Sequence, residues 1–176
     1  MKSGVVAIFV LMLFAAFLVS CSSSEKSDAS KKSNASKSAA NVSQGAFSIL
    51  DIGGNPHSID EYVGKSPLVV NFWGTWCPPC RRELPDLKKI YDEYRGQGLE
   101  IIGIAVNDTP QRVRAFAPQF GLEWVLLMAN NDAIRYFRIG TAVPTTIFID
   151  RNGNEVGRFV GMRTYNDFKA EVQKII

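Results

Sequence analysis

Histidine and cysteine are scarce in this sequence, and their scarcity limits the chemistry available to it. The 176 residues include one histidine and three cysteines. A zinc site needs about four such ligands, yet His57 lies far along the chain from the close pair Cys77 and Cys80. We therefore expect no metal ion and no cofactor.

The net charge of the sequence is also small. The formal net charge is +3, and no basic stripe interleaved with aromatic residues is present. Nucleic-acid-binding proteins need such a stripe because they must neutralise the phosphate backbone. The sequence therefore excludes a nucleic-acid partner.

One long hydrophobic run exists, and it lies at the N-terminus. After Lys2, residues 4 to 19 are uncharged and almost wholly apolar (GVVAIFVLMLFAAFLV). This run is short for a hydrocarbon core about 30 Å thick, and a charged start followed by small residues is typical of a secretion signal. The run ends in LVSC, which resembles the bacterial lipobox. That resemblance implies cleavage before Cys21 and a lipid on Cys21; an uncleaved membrane anchor is the alternative.

Both alternatives place the remaining chain outside the cytoplasm, in the periplasm or at the outer face of the cell membrane. We divide the chain into a signal peptide (1–20), a tether that begins with the lipidated cysteine (21–45) and a folded domain (46–176). The tether is rich in serine and lysine and has no aromatic residue, so it cannot bury enough apolar surface to fold. The other two cysteines are able to form a disulfide in such a compartment.

The domain alternates between strand and helix patterns. A β-hairpin is predicted around residues 53–55, and the last two strands are predicted to meet at the turn Asn152-Gly153. Buried strands are predicted over 67–73, 99–107 and 124–129, and helices from 77, from 109 to 121, over 131–140 and from 164. This order predicts an α/β fold with a central mixed sheet flanked by helices.

The two close cysteines follow a strand and open a helix. Residues i and i+3 share a helical face, so Cys77 and Cys80 can form a disulfide. A helix N-terminus stabilises an anion, which favours Cys77 as the attacking thiolate. Cys80, one turn inside, suits the resolving thiol. Pro78 and Pro79 fit the first helical positions because a proline needs no N–H partner there.

A purely structural disulfide is the alternative for this pair. A bridge that closes so short a loop removes little chain entropy from the unfolded state. The spacing therefore favours thiol–disulfide exchange over a structural role.

Three stretches of the domain resemble one known family. VVNFWGTWCPPCRRELPDL, GIAVND and AVPTTIFIDRNGNEVGRFVG are similar to the thioredoxin superfamily, and specifically to its TlpA/ResA-like thiol-disulfide oxidoreductases. The resemblance implies a thioredoxin-like fold with an N-terminal β-hairpin and a helix–strand insert. It also implies that Val143-Pro144 is a cis peptide facing the disulfide, and that the Val143 backbone pairs with an extended substrate segment.

The resemblance also bears on the group that handles the proton of the resolving thiol. Many thioredoxins carry an aspartate on the strand before the cysteines, where this sequence has Asn71. Glu83, three residues after Cys80 on the same helical face, fits the family pattern. Asp108 is the other candidate. An ordinary surface or ion-pairing role for Glu83, and a helix-start role for Asp108, are the alternatives.

Four further residues receive smaller roles. Trp76, beside the attacking sulfur, offers a flat apolar contact to a substrate, with core packing as the alternative. Trp73 is expected in the core, and His57 on the surface of the first hairpin. Pro85 lies inside the predicted helix and should kink it.

The direction of electron flow follows from how well the reduced thiolate is stabilised. The Cys77–Cys80 pair encloses no histidine or lysine, and its prolines remove two backbone donors near the sulfur, so we expect a reducing site. Arg81, one turn after Cys77, argues the other way unless it is solvated.

Together these features predict a membrane-tethered, monomeric protein-disulfide reductase. The resemblance implies substrates among disulfide-containing envelope proteins, with apocytochrome c as the leading one, and recharging by a membrane electron donor of the CcdA/DsbD type. The alternatives are an oxidase or isomerase on the same scaffold and a Sco-like metallochaperone. A metallochaperone of that type would want three residues between its cysteines and a well-placed histidine. A peroxiredoxin is disfavoured because it needs no such close pair.

Overall fold

A computed structural model of the protein describes residues 45–176. The predicted signal peptide, the lipidated Cys21 and all but the last residue of the tether lie outside the described residues. The strands are β1 Ser48–Leu50, β2 Pro56–Ser58, β3 Leu68–Trp73, β4 Glu100–Ala105, β5 Val125–Met128, β6 Thr145–Ile149 and β7 Glu155–Val160. The α-helices are α1 Pro78–Tyr94, α2 Pro110–Phe116, α3 Asn131–Tyr136 and α4 Tyr165–Val172.

Five strands form the central sheet in the order β5-β4-β3-β6-β7. The pairs β5/β4 and β4/β3 are parallel, whereas β3/β6 and β6/β7 are antiparallel. The predicted mixed sheet is therefore confirmed. In this register Asn71 of β3 lies opposite Thr146 of β6, which brings two distant polar side chains together below the start of α1.

The sheet is buried on both faces, as its nearly continuous apolar strands predict. Alternate residues of β3 point to opposite sides. Val69 and Trp73 pack with residues of α1, α2 and α4, such as Leu84, Val113 and Phe168. Leu68, Val70 and Phe72 pack with residues in or just after α3 and in the N-terminal segment, such as Ala133, Phe137, Ile49 and Ile59.

The N-terminal hairpin, β1 and β2, is present as predicted and adjoins β5 at one edge of the sheet. The Ile52 N–H donates to the Leu126 carbonyl at 3.1 Å, and the Asn130 side chain donates to the Ser48 carbonyl at 2.8 Å. At the opposite edge, β7 pairs only with β6 within residues 45–176. We assign the predicted helix–strand insert to α2 and β5, which lie between β4 and α3.

Most helix boundaries follow their sequence signals. The Thr109 hydroxyl accepts a hydrogen bond from the Arg112 N–H, Pro110 begins α2, and Gly121 (φ +60°) ends the 3₁₀ turn that follows. Thr164 and Asp167 form a capping box at the start of α4.

The helix predicted over 131–140 is too long. α3 ends at Tyr136, because Arg138 adopts a left-handed conformation (φ +50°) and the Ile139 N–H bonds back to the Ile134 carbonyl.

Within residues 45–176, none of the helices combines the length and the apolar character that crossing a membrane requires.

Candidate active site

The cysteine pair lies where β3 gives way to α1. Cys77 is the N-cap residue of α1, and a disulfide joins it to Cys80, whose Cα is 5.3 Å away. The Cys80 N–H points at the Cys77 sulfur at 3.3 Å. Pro78 and Pro79 occupy the first two helical positions, as predicted. The helix start therefore holds both sulfurs on one side and directs a backbone donor toward Cys77.

Both cysteines of the disulfide are buried, while the preceding Trp76 is not. Cys77 is 2% exposed and Cys80 is 0% exposed. Trp76 is 49% exposed, and its indole N–H donates to the Val106 carbonyl at 3.0 Å. Trp73 lies in the core. The small exposed surface of the pair therefore belongs to Cys77, and the half-exposed Trp76 precedes it in the chain.

The segment before β6 faces the disulfide. Val143-Pro144 is a cis peptide, and the Val143 carbonyl oxygen lies 3.7 Å from the Cys77 sulfur. The Pro144 carbonyl accepts a hydrogen bond of 2.8 Å from the Gly161 N–H, just after β7. The structure thus brings the predicted residues Val143 and Pro144 to Cys77 from a part of the chain far away in sequence.

Glu83 is buried beneath this site, one helical turn beyond Cys80. It is 1% exposed. Its carboxylate accepts hydrogen bonds from the Asn71 side chain at 3.0 Å and from the Arg163 N–H at 3.2 Å. Burial raises the pKa of Glu83 to about 7, while these two hydrogen bonds and the Arg163 charge act in the opposite direction. A carboxyl group with this pKa can take up or release a proton near neutral pH.

Asp108, the other candidate, has a different environment. Its carboxylate accepts hydrogen bonds from the backbone N–H groups of Thr75 (2.7 Å) and Thr109 (2.9 Å) and from the Arg112 side chain (2.9 Å). Burial opposes ionisation, but the hydrogen bonds prevail and the pKa of Asp108 is lowered. Asp108 therefore stays ionised and fixes the loop between β3 and α1.

Two predicted residues lie apart from this chemistry. His57 belongs to the first hairpin and its Nδ1 lies 2.8 Å from the Tyr62 hydroxyl. Pro85 is an exposed residue inside α1.

Sequence reasoning missed three features of the site. Thr146 accepts a hydrogen bond from Asn71 at 3.0 Å, and the Arg163 backbone holds Glu83. A cavity of about 340 Å³ also opens between Trp76 and Val143, lined further by Asn107, Ile134 and Thr141 among others. Only the glycine before Met162 and Arg163, which allows a left-handed turn at Gly161 (φ +86°), hinted that this loop returns to the site.

Comparisons with known proteins agree with this geometry. The sequence matches the AhpC/TSA family over residues 40–155. A curated relative from Geobacillus kaustophilus (strain HTA426), named thiol-disulfide oxidoreductase ResA, is 35% identical over 130 residues, which cover 73% of this chain and 74% of the relative. The chain belongs to the AhpC/TSA family and is a TlpA/ResA-like thiol-disulfide oxidoreductase.

Solved structures support the same fold. A thioredoxin family thiol:disulfide interchange protein from Chlorobium tepidum TLS is 36% identical, with a TM-score of 0.66 over 74% of this chain and 92% of that one. A secreted disulfide oxidoreductase of Mycobacterium tuberculosis is similar in fold, with 20% identity and a TM-score of 0.65 over 73% of this chain and 95% of that one. The predicted thioredoxin-like fold is confirmed, as is the predicted enzyme class at the level of a thioredoxin-like thiol-disulfide oxidoreductase.

Proposed function

We propose that this protein is tethered outside the cytoplasm by a lipid on Cys21 and reduces disulfides in other envelope proteins. The observation that carries the proposal is the Cys77–Cys80 disulfide at the start of α1, with the buried carboxyl of Glu83 one turn further along the helix. This arrangement supplies a pair of sulfurs and a proton acceptor in one place. The relatives' name, thiol-disulfide oxidoreductase, supports the same chemistry.

In the proposed reaction the reduced protein acts first through Cys77. The Cys77 thiolate attacks one sulfur of the target disulfide, a mixed disulfide forms, and the other target sulfur leaves as a thiolate. Cys80 then attacks the Cys77 sulfur, which restores the Cys77–Cys80 disulfide and releases the second target thiol. Two electrons pass from the cysteine pair to the target. The target is oriented next to Cys77 by Trp76, Pro78, Pro79 and the Val143-Pro144 segment.

Glu83 has the position and the pKa to handle the proton of Cys80. Cys80 is fully buried, so its thiol needs an acceptor inside the protein before it can attack. The pKa of Glu83, about 7 because of burial, lets the carboxylate accept that proton and return it when the disulfide is reduced again. Asp108, held ionised by three donors, is less suited to this exchange.

The partners are proposed from the family resemblance. The oxidised protein would be recharged by a membrane electron donor of the CcdA/DsbD type, and apocytochrome c is the leading substrate, kept reduced for haem attachment. The tether would let a monomeric domain reach both. One alternative is an oxidase or isomerase on the same fold, which a measurement of the reduction potential distinguishes from a reductase. The other is a Sco-like metallochaperone, which would retain copper through purification.

Trapping in cells tests the proposal. In Cys80→Ser, Cys77 can still attack a target disulfide, but the thiol that would break the mixed disulfide is missing. We therefore expect disulfide-linked complexes with envelope proteins, and a reductant should separate these complexes. Cys77→Ser is the matched control and should capture none. Identical patterns from the two variants would contradict the proposed roles.

The direction of electron flow is tested by equilibrating the purified protein with glutathione. We expect a reduction potential well below that of strong oxidants, which lie near about −120 mV. A value close to that end of the range would overturn the reductase and favour an oxidase.

A further inference from the structure

A second, open cavity borders the loop before Cys77, where Thr75 lines it. It has a volume of about 310 Å³ and is lined by Thr75, Arg81, Arg112, Ala115, Phe116 and Gln119. We call it the basic cavity, because two of its lining residues are arginines and none, among the described residues, is acidic. It lies between the first turn of α1 and the helix α2, and so borders the loop that carries the disulfide.

The two arginines differ in how their charge is balanced. Arg112 is paired with Asp108, whose side chain is completely buried, at 2.9 Å. Arg81 forms no ion pair with another residue of the range 45–176, although Lys88 and Lys89, further along α1, do. The basic cavity therefore carries one uncompensated positive charge, on Arg81.

The Arg81 guanidinium packs on one aromatic ring. Its guanidinium carbon lies 5.5 Å from the centre of the Phe116 ring, and Phe116 is itself stacked on Phe120 with ring centres 4.6 Å apart. A guanidinium over an aromatic face keeps its N–H edge available for hydrogen bonds. Arg81 is an exposed residue, and this contact favours one orientation of its side chain, which lowers the entropic cost of binding an anion.

The other cavity beside the disulfide has no such charge. The cavity between Trp76 and Val143 is lined by uncharged residues only, within the part of the chain described here. Of these two cavities beside the disulfide, only the basic cavity therefore offers positive charge. A carboxylate of a bound protein would meet the positive charge of Arg81 in the basic cavity. In the neutral cavity between Trp76 and Val143, the same carboxylate would lose its hydration without a compensating charge.

We propose that the basic cavity binds a carboxylate side chain of the partner protein, on the segment that carries the cysteine exchanging with Cys77. This inference rests on the proposed function and specifies its substrate class: proteins with aspartate or glutamate close to the target disulfide. Arg81 is the residue that selects them, because its charge is unpaired and a guanidinium binds a carboxylate through two parallel hydrogen bonds.

The test compares three synthetic peptides that differ at one position. Each contains a single disulfide, with glutamate, glutamine or lysine beside the reactive cysteine. The reduced full-length protein is mixed with each peptide, and the second-order rate of disulfide reduction is measured after acid quenching. We expect the glutamate peptide to react about two- to fivefold faster than the glutamine peptide, as for one exposed charge pair, and the lysine peptide to react more slowly than either. Added salt should narrow the differences.

The variants separate a contact from a general effect. In Arg81→Gln the glutamate-to-glutamine rate ratio should fall to about one. Arg82→Gln is the matched control, since Arg82 is an exposed arginine on the same helical turn that does not line the basic cavity, and its ratio should match the unmodified protein. Arg81→Lys, which keeps the charge without the planar fork, should retain part of the preference. An effect of Arg81 on the Cys77 thiolate would change all three rates alike and leave the ratio intact.

Several outcomes would overturn the inference. A glutamate peptide no faster than the glutamine peptide, a ratio unchanged in Arg81→Gln, or an equal loss in Arg82→Gln would each remove the role of Arg81. If these occur while the peptides are still reduced, the proposed function stands and only the inference fails. If no peptide is reduced at all, both fail.

Discussion

Glu83 is a carboxyl group placed where water barely reaches it. Burial raises its pKa from 4.5 to about 7, so the folded protein disfavours the ionised form relative to the unfolded chain. Protonated Glu83 therefore contributes to the stability of the fold. This contribution is fully present below the ordinary pKa of the carboxyl group and is lost as the pH rises through about 7. At about 1.4 kcal/mol per pKa unit, Glu83 makes stability fall by about 3 kcal/mol across this range.

Replacing Glu83 by glutamine should remove this dependence on pH. We expect the free energy of unfolding of the oxidised protein to fall as the pH is raised from about 4.5 to above 7. In Glu83→Gln this fall should be smaller by about 3 kcal/mol. Urea unfolding at a series of pH values measures both. Parallel profiles for the two proteins would show that Glu83 is not the group responsible.

The sequence predicted single residues well where the chemistry is local. Cys77, Cys80 and the two prolines between them needed only a strand followed by a helix. The choice between Glu83 and Asp108 was beyond reach, because it depends on burial and on donors far away in sequence: the Arg163 N–H that binds Glu83 is 80 residues further on. No local pattern encodes such a contact.

The loop between β3 and α1 depends on one side chain from another element. Asp108 follows β4, yet it accepts the Thr75 N–H at 2.7 Å and the Arg112 side chain at 2.9 Å. Its side chain has no exposed surface. Loss of the carboxylate would leave a backbone donor of the loop without its partner.

Asp108→Ala should therefore destabilise the fold by about 1–3 kcal/mol, the usual cost of an unsatisfied buried group. Asp92→Ala is a suitable control, because Asp92 is a partly exposed carboxylate on α1 whose pair with Lys88 lies at the surface and should cost less than about 1 kcal/mol. Denaturant unfolding of both variants decides the matter; equal losses would mean that Asp108 does not anchor the loop.

Element boundaries were predicted well where capping residues mark them. Thr109 with Pro110 and Thr164 with Asp167 start helices as expected. The predicted end of α3 was wrong because Arg138, although it is not a glycine, adopts a left-handed backbone (φ +50°). No local sequence pattern marked that position as a helix end.

At the scale of the whole domain, the N-terminal hairpin belongs to the core. Ile49 is 1% exposed and packs among residues of β3, β4 and α3, whereas its neighbour Leu50 is 51% exposed. The hairpin therefore supplies apolar surface to one face of the sheet as well as hydrogen bonds to its edge.

Ile49→Ala should lower the free energy of unfolding by about 2–5 kcal/mol, through lost burial and the cavity left behind. Leu50→Ala changes the adjacent, exposed residue and should alter it by less than about 0.5 kcal/mol. Guanidinium unfolding curves followed by tryptophan fluorescence provide the comparison. A small effect of Ile49→Ala would mean that the hairpin contributes little to stability.

The two outer edges of the central sheet determine how readily another chain can pair with it. The hairpin adjoins β5, and at β7 Arg158 and Arg138 both pair with Glu155. Charged groups on an outer strand oppose the addition of foreign strands. These ion pairs therefore disfavour the pairing of another chain with the outer edge of β7, and so oppose edge-to-edge aggregation there.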